Sequence, residues 1–411
     1  MPVAHKEKPE SLGNYDLLEK IATAGVGSVY RGRRRATAEV VAVKVMPPFQ
    51  TGNEVALQRF ARECRILSGL NDPNIVRALD FGIEGSVPYL VMEFVDGESL
   101  GKRVEREGKM PEAEAVNLIA QVARALDRAH CQGLIHRHIK PDNILLAAEG
   151  DVKLADLGLA KHVETSMQLT KTGGCLGAPN FMAPEQFRDA RHVDKRSDIY
   201  ALAATLYMAV TGQLPFAATN LVDCCVRKMQ NNLAPPRELN PDLSERLDWA
   251  IRRAMNADPA GRPASCVEFV EDLTGRSAKI PGASKRGMRA DLWHVLYEGA
   301  DGTSQQASGP QHDIRGSIQD GLLGNAGNVR VSASRDGPFE PLRNVAEFRD
   351  LVVSVPARSN AEAAAAPVVA PSPPTFPSDA DDQGAPVWLT TICVGALVLT
   401  GFLAGLFLLT R

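Results

Sequence analysis

GLIHRHIKPDNILL, residues 133–146, is the stretch on which the fold turns, and VKLADLGLAK follows it at 152–161. Taken one at a time, the His, Lys and Asp residues here have the character of ordinary surface charges. The information lies in the order of the segments around them. GAPNFMAPEQ at 177–186 and SDIYAL at 197–202 come downstream. Upstream lie a turn of small residues, a lysine in an apolar run and a glutamate in a helical pattern.

The upstream turn is IATAGVGSVYRG at 21–32, between two strand-like runs. Small residues such as Gly25 and Gly27 let backbone amides approach phosphate groups, although a plain hairpin turn explains them equally well. VVAVKVM at 40–46 then presents Lys44 from a strand beside that turn, and YLVMEFV at 89–95 is a second β-branched run. Glu63 lies in RFARECRIL, where apolar residues at 60, 64 and 67 mark a helix face and place a carboxylate within reach of Lys44. Between Pro111 and His130 apolar residues at 116, 119, 122, 123 and 126 again trace one face of a helix. A strand-rich first part and a larger helix-rich second part predict two lobes of α+β type.

The order and spacing of these blocks resemble the protein kinase signature set, in particular its bacterial Ser/Thr type, over about 260 residues. The resemblance implies a two-lobed protein-kinase-like fold over 15–274, with a β-rich N-lobe and a helical C-lobe, that binds ATP and Mg²⁺. It implies a nucleotide site that includes Ile21, Ala22, Gly25 and Gly27 at the phosphate turn, with Lys44 on the phosphates and Glu63 as its partner. Val29, Ala42 and Leu145 would sandwich adenine, Glu93 and Val95 would offer the hinge backbone, and Met92 would gate the back pocket. Asn143 and Asp156 would hold the metal, and Lys140 would offset charge on the transferring phosphoryl group. Asp198 would brace the catalytic loop, and Glu185 with Arg262 would anchor the end of the activation segment. Thr170 and Thr172 would be its phosphosites, with Arg137 as receiver.

The departures from the pattern fall at the reaction centre. Where the family reads H-R-D, this chain reads His136-Arg137-His138. The glycine loop reads Ala22-Thr23-Ala24-Gly25-Val26-Gly27, with only its third glycine in register, and Ala178 replaces the threonine of G-T-P. Asp156-Leu157-Gly158 in place of D-F-G is a harmless variant. Imidazole titrates near pH 6.5 and can accept a proton, but it brings no negative charge and Lys140 would repel its protonated form. The expectation is a pseudokinase-like signalling protein that binds ATP and Mg²⁺ with impaired phosphotransfer. The alternatives are an active Ser/Thr protein kinase and a nucleotide-switched scaffold without chemistry.

Outside this region the 411 residues are unevenly composed, although the overall 44% hydrophobic and 23% charged content is that of a globular chain. Net charge is −3 and the isoelectric point is near 6.3, which argues against general nucleic-acid binding, while the kinase resemblance implies a protein substrate or signalling partner. Residues 387–410 carry no charge in 24 positions, about 36 Å of helix, and predict a single C-terminal transmembrane helix. The first residues hold no apolar signal segment, so the kinase-like part is expected on the cytoplasmic face of the cell membrane. Seven scattered cysteines without a C-x-x-C spacing predict reduced thiols. A basic linker at 275–290 and an Ala/Pro/Ser-rich spacer at 354–386 flank a small α+β module at 291–353. That module resembles GYF-like domains, and Trp293 with Gly337-Pro338-Phe339 would offer an aromatic surface to a proline-rich peptide, unless Trp293 and Phe339 fill a small core.

Overall fold

The structure, a computed structural model, describes residues 11–24, 27–48, 54–148, 150–157, 178–188, 193–216, 218, 220–277, 292–299 and 302–353. Gly25, Thr170, Thr172, the spacer and the apolar run at 387–410 lie outside them. Among the described residues no helix is long and apolar enough to cross a membrane.

The first lobe is a six-stranded antiparallel sheet with one helix. Its strands are β1 (Ser11–Leu12), β2 (Tyr15–Ala24), β3 (Gly27–Arg34), β4 (Val40–Val45), β5 (Ala78–Glu84) and β6 (Val87–Glu93), in the order β1-β2-β3-β4-β6-β5. Period-two alternation divides its residues between two cores. Val41, Val43, Tyr89 and Val91 pack with Leu12, Tyr15 and Leu17 on one side. Ala42, Leu90 and Met92 belong to the other, which is continuous with the core of the second lobe. Helix α1 (Glu54–Ser68) buries Phe60, Cys64 and Leu67, and Phe60 meets Phe81 of β5 edge-on at 6.2 Å.

The second lobe begins with β7 (Gly97–Ser99), α2 (Leu100–Glu107) and α3 (Glu112–Cys131), whose buried face includes Ile119, Val122, Ala123 and Leu126. A small sheet follows, β8 (Ile144–Ala147) between β7 and β9 (Val152–Leu154). Then come α4 (Pro184–Arg188), α5 (Lys195–Thr211), α6 (Leu221–Met229), α7 (Pro236–Leu239), α8 (Glu245–Ala254) and α9 (Cys266–Thr274). Helix α5 is buried on every side, which makes it the axis of the lobe, and Gly212 closes it in the left-handed conformation. The lobes are tied behind the cleft. Leu154 donates to the Asn74 carbonyl, Val76 donates to that of Leu154, and Asn74 Nδ2 reaches the Val152 carbonyl, at 2.8–2.9 Å.

The small module has strands β10 (Leu292–Glu298), β11 (Ser304–Pro310), β12 (Arg330–Ser332) and β13 (Glu340–Pro341), in the order β11-β10-β12-β13, with α10 (Gln311–Gln319). Of the two readings of Trp293, peptide surface or small core, the packing is that of a core residue. Trp293 alternates inward with Val295 along β10 and packs edge-on against Phe348 at 5.1 Å, so its ring belongs to the core. The module's last turns lie against α8 and α9. Asp350 takes Arg246 from α8 and Arg315 from α10, while Arg349 donates to Asp272 at 2.7 Å and to Glu271 at 3.2 Å on α9. Trp249 Nε1 donates to the carbonyl of Val353 at 3.0 Å.

Candidate active site

The roof of the cleft is the inner face of the first sheet. Val29 pairs with Lys44 and Ala42 with Met92 across neighbouring strands, and Ala42 and Met92 are buried. The floor is β8, where Leu145 lies half-buried, and Ile21 stands exposed on β2. Ala22 pairs with Val29 at the mouth. Gly27 has a backbone reason to be glycine. Its φ is +140°, and a Cβ there would lie 2.2 Å from the Val45 carbonyl oxygen of β4. At the edge of the cleft the Glu93 amide is used by the Arg77 carbonyl, and its side chain accepts from the Arg77 amide and Lys153 Nζ, each at 2.9 Å. Half-buried Val95 follows with an amide that makes no backbone hydrogen bond among the described residues.

Lys44 is 3% exposed and makes an ion pair with Asp156 at 2.8 Å. Two buried opposite charges gain most from direct contact in a poorly screened interior. Burial alone would raise the Asp156 carboxyl, but the charge and hydrogen bond of Lys44 hold it below its ordinary value. Asp156 itself sits at φ +63°, an uncommon left-handed position for a side-chain-bearing residue.

The loop opposite is built on Asp198, which is fully buried. Its carboxylate accepts from the amides of His136 at 2.8 Å and Arg137 at 2.7 Å and from His130 Nε2 at 2.8 Å. His136 Nε2 donates to the Ala155 carbonyl, which fixes the tautomer and leaves Nδ1 to accept from the His138 amide at 3.3 Å. Asn143 Nδ2 donates to the His138 carbonyl at 2.8 Å, and the Ala155 amide donates to the Asn143 carbonyl. Three short segments, 136–138, 143 and 155–156, are thereby fastened to one another.

His138 is partly buried in this knot. Burial, then the positive charge of Lys140, pulls its imidazole down to about 4, so the ring is neutral at physiological pH. Lys140 Nζ lies 3.0 Å from Asp142 on the same loop. With its Nδ2 committed, Asn143 offers Oδ1 as an acceptor, and Asp156 offers carboxylate oxygen. Among the described residues no group of three or more His, Cys, Asp or Glu would hold a metal alone. Such a donor set fits Mg²⁺, which takes one or two protein oxygens and completes its shell with phosphates and water.

The segment after 177 is held at its far end. Glu185 makes a two-pronged ion pair with Arg262 at 2.6 and 2.8 Å, and the Arg262 guanidinium lies 4.9 Å from the centre of the Tyr200 ring. Gln186 Nε2 donates to the Arg137 carbonyl at 2.9 Å, joining this segment to the loop at 136–138. The sequence reading singled out neither Gln186 nor His130. Both lie inside or near the recognised blocks, but only the fold shows which carbonyl or carboxylate they meet.

A protein kinase domain matches residues 15–273, nearly two thirds of the chain, and the chain belongs to the protein kinase family. Among curated relatives, a serine/threonine-protein kinase of Myxococcus xanthus, pkn3, is 32% identical over 353 residues, covering 83% of this chain and 62% of its own length. A probable serine/threonine-protein kinase of Clostridium perfringens is 36% identical over 263 residues, covering 64% of this chain and 38% of its own length. PknB of Mycobacterium leprae is 33% identical, covering 71% and 48%. The chain thus spans between a third and two thirds of the length of these relatives. Among solved structures, the kinase domain of Mycobacterium tuberculosis PknI aligns with a TM-score of 0.51 at 26% identity, covering 67% of this chain and 98% of that one.

Proposed function

We propose that the chain is a membrane-anchored signalling protein of the Ser/Thr protein kinase family that binds ATP with Mg²⁺ and transfers phosphate to protein hydroxyls weakly. The observation that carries this reading is the neutral imidazole of His138 where the family places a carboxylate, beside an otherwise equipped Lys44, Asn143 and Asp156. The uncharged run at 387–410 supports the anchor.

The roles divide among the chain's own groups. The Glu93 carbonyl and Val95 amide would receive the adenine edge, and Lys44 would turn from Asp156 toward the phosphates. Asn143 and Asp156 would hold Mg²⁺, which when bound neutralises phosphate charge. The acceptor hydroxyl then has only His138 to orient it. A conjugate acid near pKa 4 makes this imidazole about as weak a base as an aspartate, whose ordinary value is about 3.9. What is lost is the negative charge that would align the hydroxyl and stabilise its departing proton. Base contributions of about 10²–10⁴-fold set the scale of the impairment.

Radiolabelled phosphate transfer by the purified chain tests this, alongside His138→Asp and Asp156→Ala. Slow transfer that rises by about 10²-fold or more in His138→Asp supports the reading. Robust transfer by the unmodified chain, abolished in Asp156→Ala, sinks it. The Lys44–Asp156 contact also favours a switching reading, since a nucleotide that recruits both groups must open it. Thermal stabilisation by ATP that requires Mg²⁺, without turnover, would mark that case.

A further inference from the structure

Helix α6 is turned opposite to its composition. Val222, Val226 and Met229 are exposed, at 71%, 39% and 37%, while the two residues it buries are Cys224 and Lys228. A lysine 1% exposed is costly unless each of its donors is satisfied. Here each one is. Lys228 Nζ donates to the carbonyls of Pro179 at 2.7 Å, Asn180 at 2.8 Å and Met182 at 2.5 Å. The rings of Tyr200, Phe216 and Phe187 surround it with centroids at 5.2, 5.3 and 5.7 Å.

All three carbonyls belong to one short stretch, 179–182, immediately before α4. The far side of that stretch is fixed by Glu185–Arg262 and by Gln186, whose amide reaches the Arg137 carbonyl one residue before His138. Position 228 therefore sets the height of a backbone ledge that is hydrogen-bonded to the catalytic loop. We propose that Lys228 is the positioning residue of the ledge against which a protein acceptor lies, acting through the backbone of 179–182 rather than by touching the acceptor. This rests on the kinase reading above and names the part of the same site that receives the protein.

The groups facing the ammonium are Cys224 and Cys225 on its own helix, Glu185 on α4, Tyr200 on α5 and Arg262 before α9. Burial draws Lys228 down to about 7, with Arg262 adding to the fall and Glu185 opposing it. Losing the proton removes one of three donors and leaves a ledge carbonyl without its partner, so the ledge should loosen as pH rises past neutrality.

The test uses the full chain and compares Lys228→Met, which keeps length without charge, with Val226→Ala on the exposed face of the same helix. Hydrogen exchange over 178–188 should rise about tenfold or more in Lys228→Met and stay unchanged in Val226→Ala. Stabilisation by ATP and Mg²⁺ should hold in both. In the His138→Asp background, KM for dephosphorylated casein should rise about tenfold in Lys228→Met while KM for ATP holds. Unchanged exchange together with an unchanged casein KM overturns the proposal. If Lys228→Met does not fold, the unmodified chain decides: exchange over 178–188 relative to α5 must increase between pH 6.5 and 8.5, and a flat ratio overturns it. If His138→Asp transfers no phosphate, the kinase reading fails separately. Faster exchange would then uphold the ledge and overturn only its role for an acceptor.

Discussion

Replacing Arg349 with methionine should be among the most damaging changes available outside the cleft. Arg349 is 6% exposed and ties the small module to α9, donating to Asp272, to Glu271 and, through Nε, to the Arg343 carbonyl at 3.0 Å. Asp272 is fully buried and is shared with Arg253, which also binds Glu268. Methionine keeps most of the apolar stem but leaves Asp272 with one cation and Glu271 without this one. Breaking a buried ion pair by removing one partner costs about 3–5 kcal/mol, because the remaining charge is uncompensated. At roughly 2 °C per kcal/mol for a unit of this size, Tm should fall by about 6–10 °C.

The pH dependence has a definite sign. Burial raises the Asp272 carboxyl to about 6 even with two guanidiniums beside it, and losing one of them raises it further. Protonation removes the orphaned charge at a higher pH in the variant, so the Arg349→Met deficit should be largest above neutrality and shrink as pH falls toward 6, where the unmodified carboxyl also takes its proton. Differential scanning calorimetry at pH 5.5 and 7.5 reads both quantities. In the double variant with Asp272→Asn the losses should be less than additive. A Tm change under about 2 °C at pH 7.5, or strict additivity, would refute the claim that this network holds the module to the lobe.

Asp156→Ala should abolish the Mg²⁺-dependent part of any ATP-induced thermal shift, measured by titrating Mg²⁺ at fixed ATP. Gly27→Ala should cost on the order of 2 kcal/mol or more in denaturant unfolding, because strain at positive φ adds to the clash with the Val45 carbonyl. For His138 the folded pKa lies near 4 against about 6.5 unfolded, so its contribution is complete above pH 6.5 and is lost as pH falls toward 4. That contribution is ~3 kcal/mol, and His138→Asn should flatten the Tm–pH curve over that interval. A curve of unchanged slope would show that His138 is not held neutral.

Much of the site was legible because its chemistry sits in short contiguous segments. Asp156, Asn143 and His138 fall within two quoted stretches, and His138 is fastened to His136 and Asn143 by bonds between close neighbours in sequence, although the loop's brace, Asp198, comes from far downstream. Choices between distant partners were not legible. The contact of Lys44 with Asp156 joins residues more than a hundred positions apart, and only the folded distances reveal it. Strand β11 reads SQQASGP and has no apolar alternation, since its first five residues are exposed; it exists because β10 supplies a seven-residue register. Lys228 was hidden for the opposite reason. A charged lysine in a short helix reads as its wet side, and it is buried because carbonyls and aromatic rings from outside its own helix converge on it.

On the proposed reading, the histidine at 138 would act through charge more than through proton affinity. A histidine exposed to solvent would be a stronger base than aspartate, yet the same burial that brings this ring to the reaction centre lowers its affinity to the aspartate range. Beside that burial, Lys140, His136 and Lys44 lower the imidazole's affinity for a proton and Asp156 raises it. An asparagine at 138 would share the neutrality without the basicity, and an aspartate would restore the charge. If charge is the deficit, His138→Asp gains activity while His138→Asn matches the unmodified chain. If basicity is the deficit, the asparagine variant falls below it.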